Sequence, residues 1–285
     1  MNLIVLYIQL IFTAICTAAA CCIPGTFLIL RGTSLISDAI SHAIFLGIVL
    51  SFLLYQQFYT PVLFMGATAT ALITIASIEQ IIATKRLKPD AVIGIVFPLL
   101  FSVAVILINM HARNIHLDID AVLLGELAFS PFYQISWNGM QLGSYAMWTM
   151  FCILLINIVM LTLSYRKLVV TSFDPDYAAI IKHNPSRTYW LLMTTTCITI
   201  LGAFEAAGAI LVVAFIITPP ATAYLITRKI SHMLIIGILI SILGALMGCL
   251  FANIVQTSIA GSIATSYSLL FFIVYCLAQV KKIQL

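Results

Sequence analysis

Charge is scarce in this 285-residue chain: Asp, Glu, Lys and Arg make up 8% of it, against about 25% in soluble globular domains. Thirteen basic and nine acidic side chains, net +4, cannot coat the surface of a soluble domain of this length. Disorder is excluded by the 63% of apolar residues, because disordered chains are poor in hydrophobes. No phosphate-binding loop of the form G-x-x-x-x-G-K-[ST] occurs, so the chain cannot hydrolyse ATP in that way itself. H-E-x-x-H is absent too, which removes the usual zinc-protease helix, and no enzyme activity is expected. Nothing basic and aromatic suggests a nucleic-acid surface. The seven cysteines (Cys16, Cys21, Cys22, Cys152, Cys197, Cys249, Cys276) form no C-x-x-C pair and no zinc-ligand spacing, and they read as small buried hydrophobes. The N-terminus lacks a basic stretch before its first apolar run, so that run reads as a span rather than a cleaved signal.

Long apolar runs are what the chain does have, and its mean hydropathy is +1.17. They cover about 3–30, 36–55, 60–83, 90–111, 143–165, 188–203, 206–227, 232–254 and 262–280. At roughly 20 residues per spanning helix, the expectation is an all-α polytopic membrane protein. It would have eight to nine transmembrane helices in a single domain over 1–285. Pro24-Gly25 interrupts the first run and Pro219-Pro220 the seventh. Such breaks are tolerated in a membrane only where protein or a water-filled cavity satisfies the freed backbone, so both point to interior, path-lining helices.

Orientation follows from Lys and Arg. With nine spans and the N-terminus outside, Arg31, Lys85, Arg86, Lys88, Arg166, Lys167, Lys182, Arg187, Arg228, Lys229, Lys281 and Lys282 collect on the inner side. Only Arg113 falls outside, and the C-terminus is cytoplasmic. Residues 111–135 form a polar outer segment. Its His111, His116, Asp118, Asp120 and Glu126 either funnel a cation or are solvated loop residues. Glu79 and Asp90 flank Lys85–Lys88 and are expected to make surface ion pairs.

Ionisable side chains deep in a bilayer cost roughly 2.5–3.5 kcal/mol and are functional candidates by default. Asp38 and His42 lie seven and eleven residues beyond Arg31, which places them ~10 and ~16 Å into a ~30 Å core. They are neighbours on one helix face by i, i+4 spacing. Ser34, Ser37 and Ser41 extend a polar stripe around them. Carboxylate plus imidazole suits Mn(II), Fe(II) or Zn(II); the alternative is a hydrogen-bonded pair inside a bundle that binds nothing. Glu205, placed in a tight turn near Gly202–Gly208, either lines an outer vestibule or reaches water. The longest inner segment, 166–188, contains a helix start: Asp174 as N-cap, Pro175 at the first helical position and Asp176 complementing the helix dipole. Such a helix is a docking element or a capped loop without a partner.

The segment Arg31–Ala43, RGTSLISDAISHA, resembles the R-x-x-S-L-x-x-D-A-[LI]-S-H-A stretch of the ABC-type manganese/zinc/iron permeases. Asp90–Phe97 (DAVIGIVF), Ser172–Ala178 (SFDPDYA) and Gly208–Ala223 (GAILVVAFIITPPATA) resemble further segments of that family in the same order, although the family more often has one proline where Pro219-Pro220 stands. The resemblance implies a permease of the bacterial cytoplasmic membrane that imports a divalent transition metal. It implies a second permease subunit (identical or paralogous), ATP-binding subunits and an extracytoplasmic metal-binding protein as partners, with no permanently bound cofactor. Carried over residue by residue, the buried metal ligands fall on Asp38 and His42. The helix that receives the ATPase falls on about 172–184, with Asp174, Pro175, Asp176, Tyr177 and Ala178 at its core. Ser34, Ser41 and Glu205 are path-lining candidates. Two ligands per chain predict that two permease subunits pair their Asp38–His42 faces near the midplane. The competing reading is a self-sufficient proton- or ion-coupled secondary transporter, which calls for several buried carboxylates on different helices and an inverted repeat; the sequence offers only Asp38 and Glu205 as buried candidates and no convincing repeat.

Overall fold

The computed structural model describes residues 3–55, 60–111, 127–137 and 140–283. In chain order it contains α1 (Leu3–Leu30), α2 (Ile36–Tyr55), α3 (Thr60–Ala83) and α4 (Pro89–His111). A 3-10 turn (Leu127–Phe132) and a two-stranded antiparallel ribbon, β1 (Gln134–Trp137) and β2 (Met140–Ser144), come next. The remainder is α5 (Tyr145–Phe173), α6 (Pro175–Ile180), α7 (Pro185–Ala207), α8 (Ala209–Ile226), α9 (Ile230–Val255) and α10 (Ile259–Ile283). Nine of the described helices, all but α6, are long and apolar enough to cross a bilayer. The ribbon has no counterpart in the sequence reading; Gln134 ties it to α1 by donating to the Gln9 side chain at 2.8 Å.

Helix α1 is the hub, packing on α5, α7, α8 and α9. Lipid tails are as apolar as Leu, so helices in a membrane associate through close packing rather than a hydrophobic drive, and small side chains permit it. Ala14, Ala18, Ala20, Cys21 and Cys22 of α1 are all buried. Five of the cysteines are buried as expected, whereas Cys152 and Cys276 are exposed. An apolar stretch looks alike in sequence whether it faces protein or lipid, which is why those two were misplaced.

The prolines do not break their helices. Pro24 lies inside α1, and Pro219 and Pro220 inside α8. Proline has no N–H to give to the carbonyl four residues back, so Pro24 frees the Ala20 carbonyl. The buried Asn157 of α5 donates to that oxygen at 3.0 Å and to Thr199 Oγ1 of α7 at 2.8 Å. Pro220 likewise frees the Ile216 carbonyl. Gly25 lies against that oxygen so closely that an added Cβ would overlap it. Both helices are therefore interior, as expected, but continuous, and at Pro24 a neighbouring side chain completes what proline removes.

Helix α5 continues eight residues past the predicted end of its apolar run because Leu168 and Thr171 find burial on its inner side. Leu168 packs in a cluster with Phe27 of α1, Leu192 of α7 and Leu234 of α9. Between α7 and α8 stands Gly208 alone, with φ of 81°. That left-handed value suits glycine, and it joins the two helices without a loop.

Candidate functional site

The first turn of α2 follows a compact end to α1. Thr33 N–H donates to the Leu28 carbonyl and Gly32 N–H to the Ile29 carbonyl, both at 3.0 Å. This is a glycine-centred C-terminal cap, with Gly32 at φ of 67°. Five residues then separate α1 from α2. Asp38 and His42 emerge one turn apart on α2, with His42 Nε2 3.5 Å from Asp38 Oδ1. That is ion-pair range but longer than a good hydrogen bond, so the two groups share a direction without being locked together.

The pair sits half in and half out of the bundle: 30% of the His42 side chain and 37% of Asp38 remain exposed on a helix otherwise mostly buried. Two aromatic rings of α4 fix the imidazole. Phe97 stacks on it with centroids 5.2 Å apart, and Phe101 meets it edge-on at 5.5 Å. Its Nδ1 is buried with no hydrogen-bond partner. One carboxylate and one imidazole are thus held on a single open face. Among the described residues no cluster of three or more His, Cys, Asp or Glu could hold a metal ion.

The serines of the predicted stripe behave differently from one another. Ser37 and Ser41 are buried, and their hydroxyls donate back to the Ser34 and Ser37 carbonyls at 2.7 and 3.0 Å. Ser34 precedes the helix, which begins at Ile36. The open face therefore consists of Asp38 and His42 rather than a five-residue stripe, because short hydroxyl side chains satisfy themselves on the preceding turn. Glu205 lies in the last turn of α7 and is exposed, not within a separate turn and not buried. His111 is exposed at the end of α4, while Arg113, His116, Asp118, Asp120 and Glu126 lie outside the described residues.

Helix α6 is capped as the sequence suggests: Asp174 Oδ1 accepts from Tyr177 N–H at 2.8 Å, and Pro175 occupies the first turn. Asp176 is exposed beside them, and Ala178 is fully buried and anchors the helix. Phe173, Tyr177 and Ile180 are exposed. Arg31, whose side chain sequence reasoning assigned no contact, joins this segment to the α1–α2 connection. Its guanidinium donates to Ser172 Oγ and Thr171 Oγ1, each at 3.1 Å, and lies 5.7 Å from the Tyr189 ring centroid. Burial lowers its pKa from the ordinary value, while Tyr189 and Glu79 raise it; an arginine remains charged under such an influence. Among the described residues neither Glu79 nor Asp90 forms an ion pair with Lys85, Arg86 or Lys88, and the Glu79 charge acts on Arg31. The one ion pair among the described residues is Asp38–His42.

The sequence profile of the ABC 3 transport family matches residues 5–278. The chain belongs to that family. Among relatives of this ABC 3 chain is the manganese transport system membrane protein MntD of Bacillus subtilis (strain 168). It is 38% identical over 230 residues, 81% of this chain and 78% of that protein. The zinc transport system membrane protein TroD of Treponema pallidum is 38% identical over 213 residues, 74% of this chain but 57% of that longer protein. Among solved structures, PsaBC from Streptococcus pneumoniae in complex with Fab superposes with a TM-score of 0.75 at 26% identity, covering 94% of this chain and 90% of that one. The fold is that of an ABC transporter permease, in a multi-pass membrane protein.

Proposed function

We propose that this chain is the membrane half of an ATP-driven importer of a divalent transition metal (manganese, zinc or iron), with Asp38 and His42 as the ligands that meet the ion in transit. The observation that carries this reading is the half-open Asp38–His42 face. A dehydrated transition metal takes four to six ligands, and one chain brings two groups. A second permease subunit placing its own pair opposite would complete four, in a site loose enough to release the ion. The relatives' names, manganese for one and zinc for another, agree with this donor set. The C-terminus is assigned to the cytoplasmic side, and the metal arrives from an extracytoplasmic binding protein.

ATP hydrolysis is assigned to separate subunits that dock on 172–184. The capped α6, its exposed Tyr177 and Ile180, and the Arg31 contacts that link Ser172 and Tyr189 to the α1–α2 connection support this. The test is metal accumulation in cells carrying Asp38→Ala or His42→Ala. Each variant should lose accumulation while still assembling with its ATPase. Wild-type import by both would make the pair structural.

A further inference from the structure

The inner end of α5 carries a cavity of about 400 Å³ lined by Thr162, Leu163, Tyr165, Arg166, Lys167 and His183. It is separate from the Asp38–His42 face: α5 packs on α1 and α7, whereas that face belongs to α2 and α4. Arg166, Lys167 and His183 converge on the cavity, and none of them forms an ion pair. Asp174, the nearest acid in sequence to the two α5 cations, is engaged in capping α6. His183 is held in place by its backbone, whose N–H donates to the Ala178 carbonyl at 2.9 Å. Lys182 before it sits at φ of 60°, a left-handed value uncommon for a residue with a side chain.

The depth of this cavity in the bilayer is set by helix geometry. Arg166 is 21 residues beyond Tyr145, the start of α5. At 1.5 Å per residue that is ~32 Å, the thickness of the ~30 Å hydrocarbon core. Arg166 and Lys167 therefore stand at headgroup level. Leu163, one turn deeper, is 77% exposed, and the exposed Val159, Ile156 and Leu155 continue the same lipid-facing wall. Thr162 and Leu163 lie within the span, so the mouth they form stays open to lipid even where a soluble subunit docks on 172–184 and meets His183 from the basic side.

We propose that this cavity binds an anionic phospholipid, its phosphate held by Arg166, Lys167 and His183 and an acyl chain laid along Leu163 and Val159. Basic pockets beside membrane helices recognise anionic headgroups in this way. Because His183 closes the α6–α7 connection, the bound lipid would bridge α5 to the far end of the segment that follows it.

The test is native mass spectrometry of the detergent-purified chain titrated with phosphatidylglycerol, with phosphatidylcholine and with inorganic phosphate. Phosphatidylglycerol should be retained about ten-fold or more over phosphatidylcholine, and loss of Arg166 or of Lys167 should each weaken it about five-fold. Arg166→Gln/Lys167→Gln and His183→Gln read the pocket. Lys85→Gln/Arg86→Gln, on a different connection, should leave retention unchanged. Equal retention of both lipids, or wild-type retention when Arg166→Gln, Lys167→Gln and His183→Gln are combined in one chain, overturns the proposal. So does displacement of the lipid by millimolar phosphate, which would mark a bare anion site.

Discussion

At Asn157 one amide stands in for the hydrogen bond that Pro24 removes. It donates to the Ala20 carbonyl of α1 and to Thr199 of α7, and so pins three helices at one buried point. Leaving a buried carbonyl unpaired costs about 1–3 kcal/mol. Asn157→Ala should lower stability by that order, measured by thermal or denaturant unfolding in micelles. Pro24→Ala would restore an N–H to the Ala20 carbonyl. In that background the Asn157 substitution should cost ~1 kcal/mol less. Identical losses in both backgrounds would show that Asn157 does not serve the proline. The same scale explains what was legible at the metal face. Asp38 and His42 are four residues apart, and that spacing alone puts them on one side of a helix. Phe97 and Phe101, which fix the imidazole, come from a different helix, and no local pattern ties them to position 42.

Helix α6 is six residues long, too short to be stable alone. It persists because Asp174 caps one end and Ala178 is buried beneath it. The cap was legible because capping chemistry is local: Asp, then Pro, then Asp states a helix start in three letters. Its connection to α2 was not, since Arg31 reaches Thr171 and Ser172 across some 140 positions of sequence. Removing an N-cap costs about 1 kcal/mol, small for a bundle of this size but large for a six-residue helix. Asp174→Ala combined with Ala178→Glu should therefore leave the protein in the membrane and its partner ATPase active while abolishing metal transport. Reconstituted vesicles reporting hydrolysis and uptake together would check this. Normal coupling in that variant would move the docking surface to the 84–90 connection.

For the whole molecule, nine described helices of spanning length, taken with the Lys and Arg pattern of the sequence, predict that the basic connections face the cytoplasm. Single cysteines near 86, 182 and 229, in a cysteine-free background, should be shielded from an impermeant reagent added outside, and one near 116 should react. Labelling at 182 from outside would reverse the assignment. Span number was legible because hydropathy integrates over twenty residues at a time. The α7–α8 junction was legible only as a region, since a junction made by one glycine leaves almost no polar signal.

That junction also governs how the protein is made. Helix α7 is the least apolar of the nine spans and carries Glu205 in its last turn. By the same rise per residue that puts Arg166 at headgroup level, Glu205 lies ~30 Å along α7, at the far edge of the core. With one residue between them, α7 and α8 cannot enter the bilayer independently. They should therefore leave the insertion machinery together, the more apolar second helix aiding the entry of its more polar neighbour.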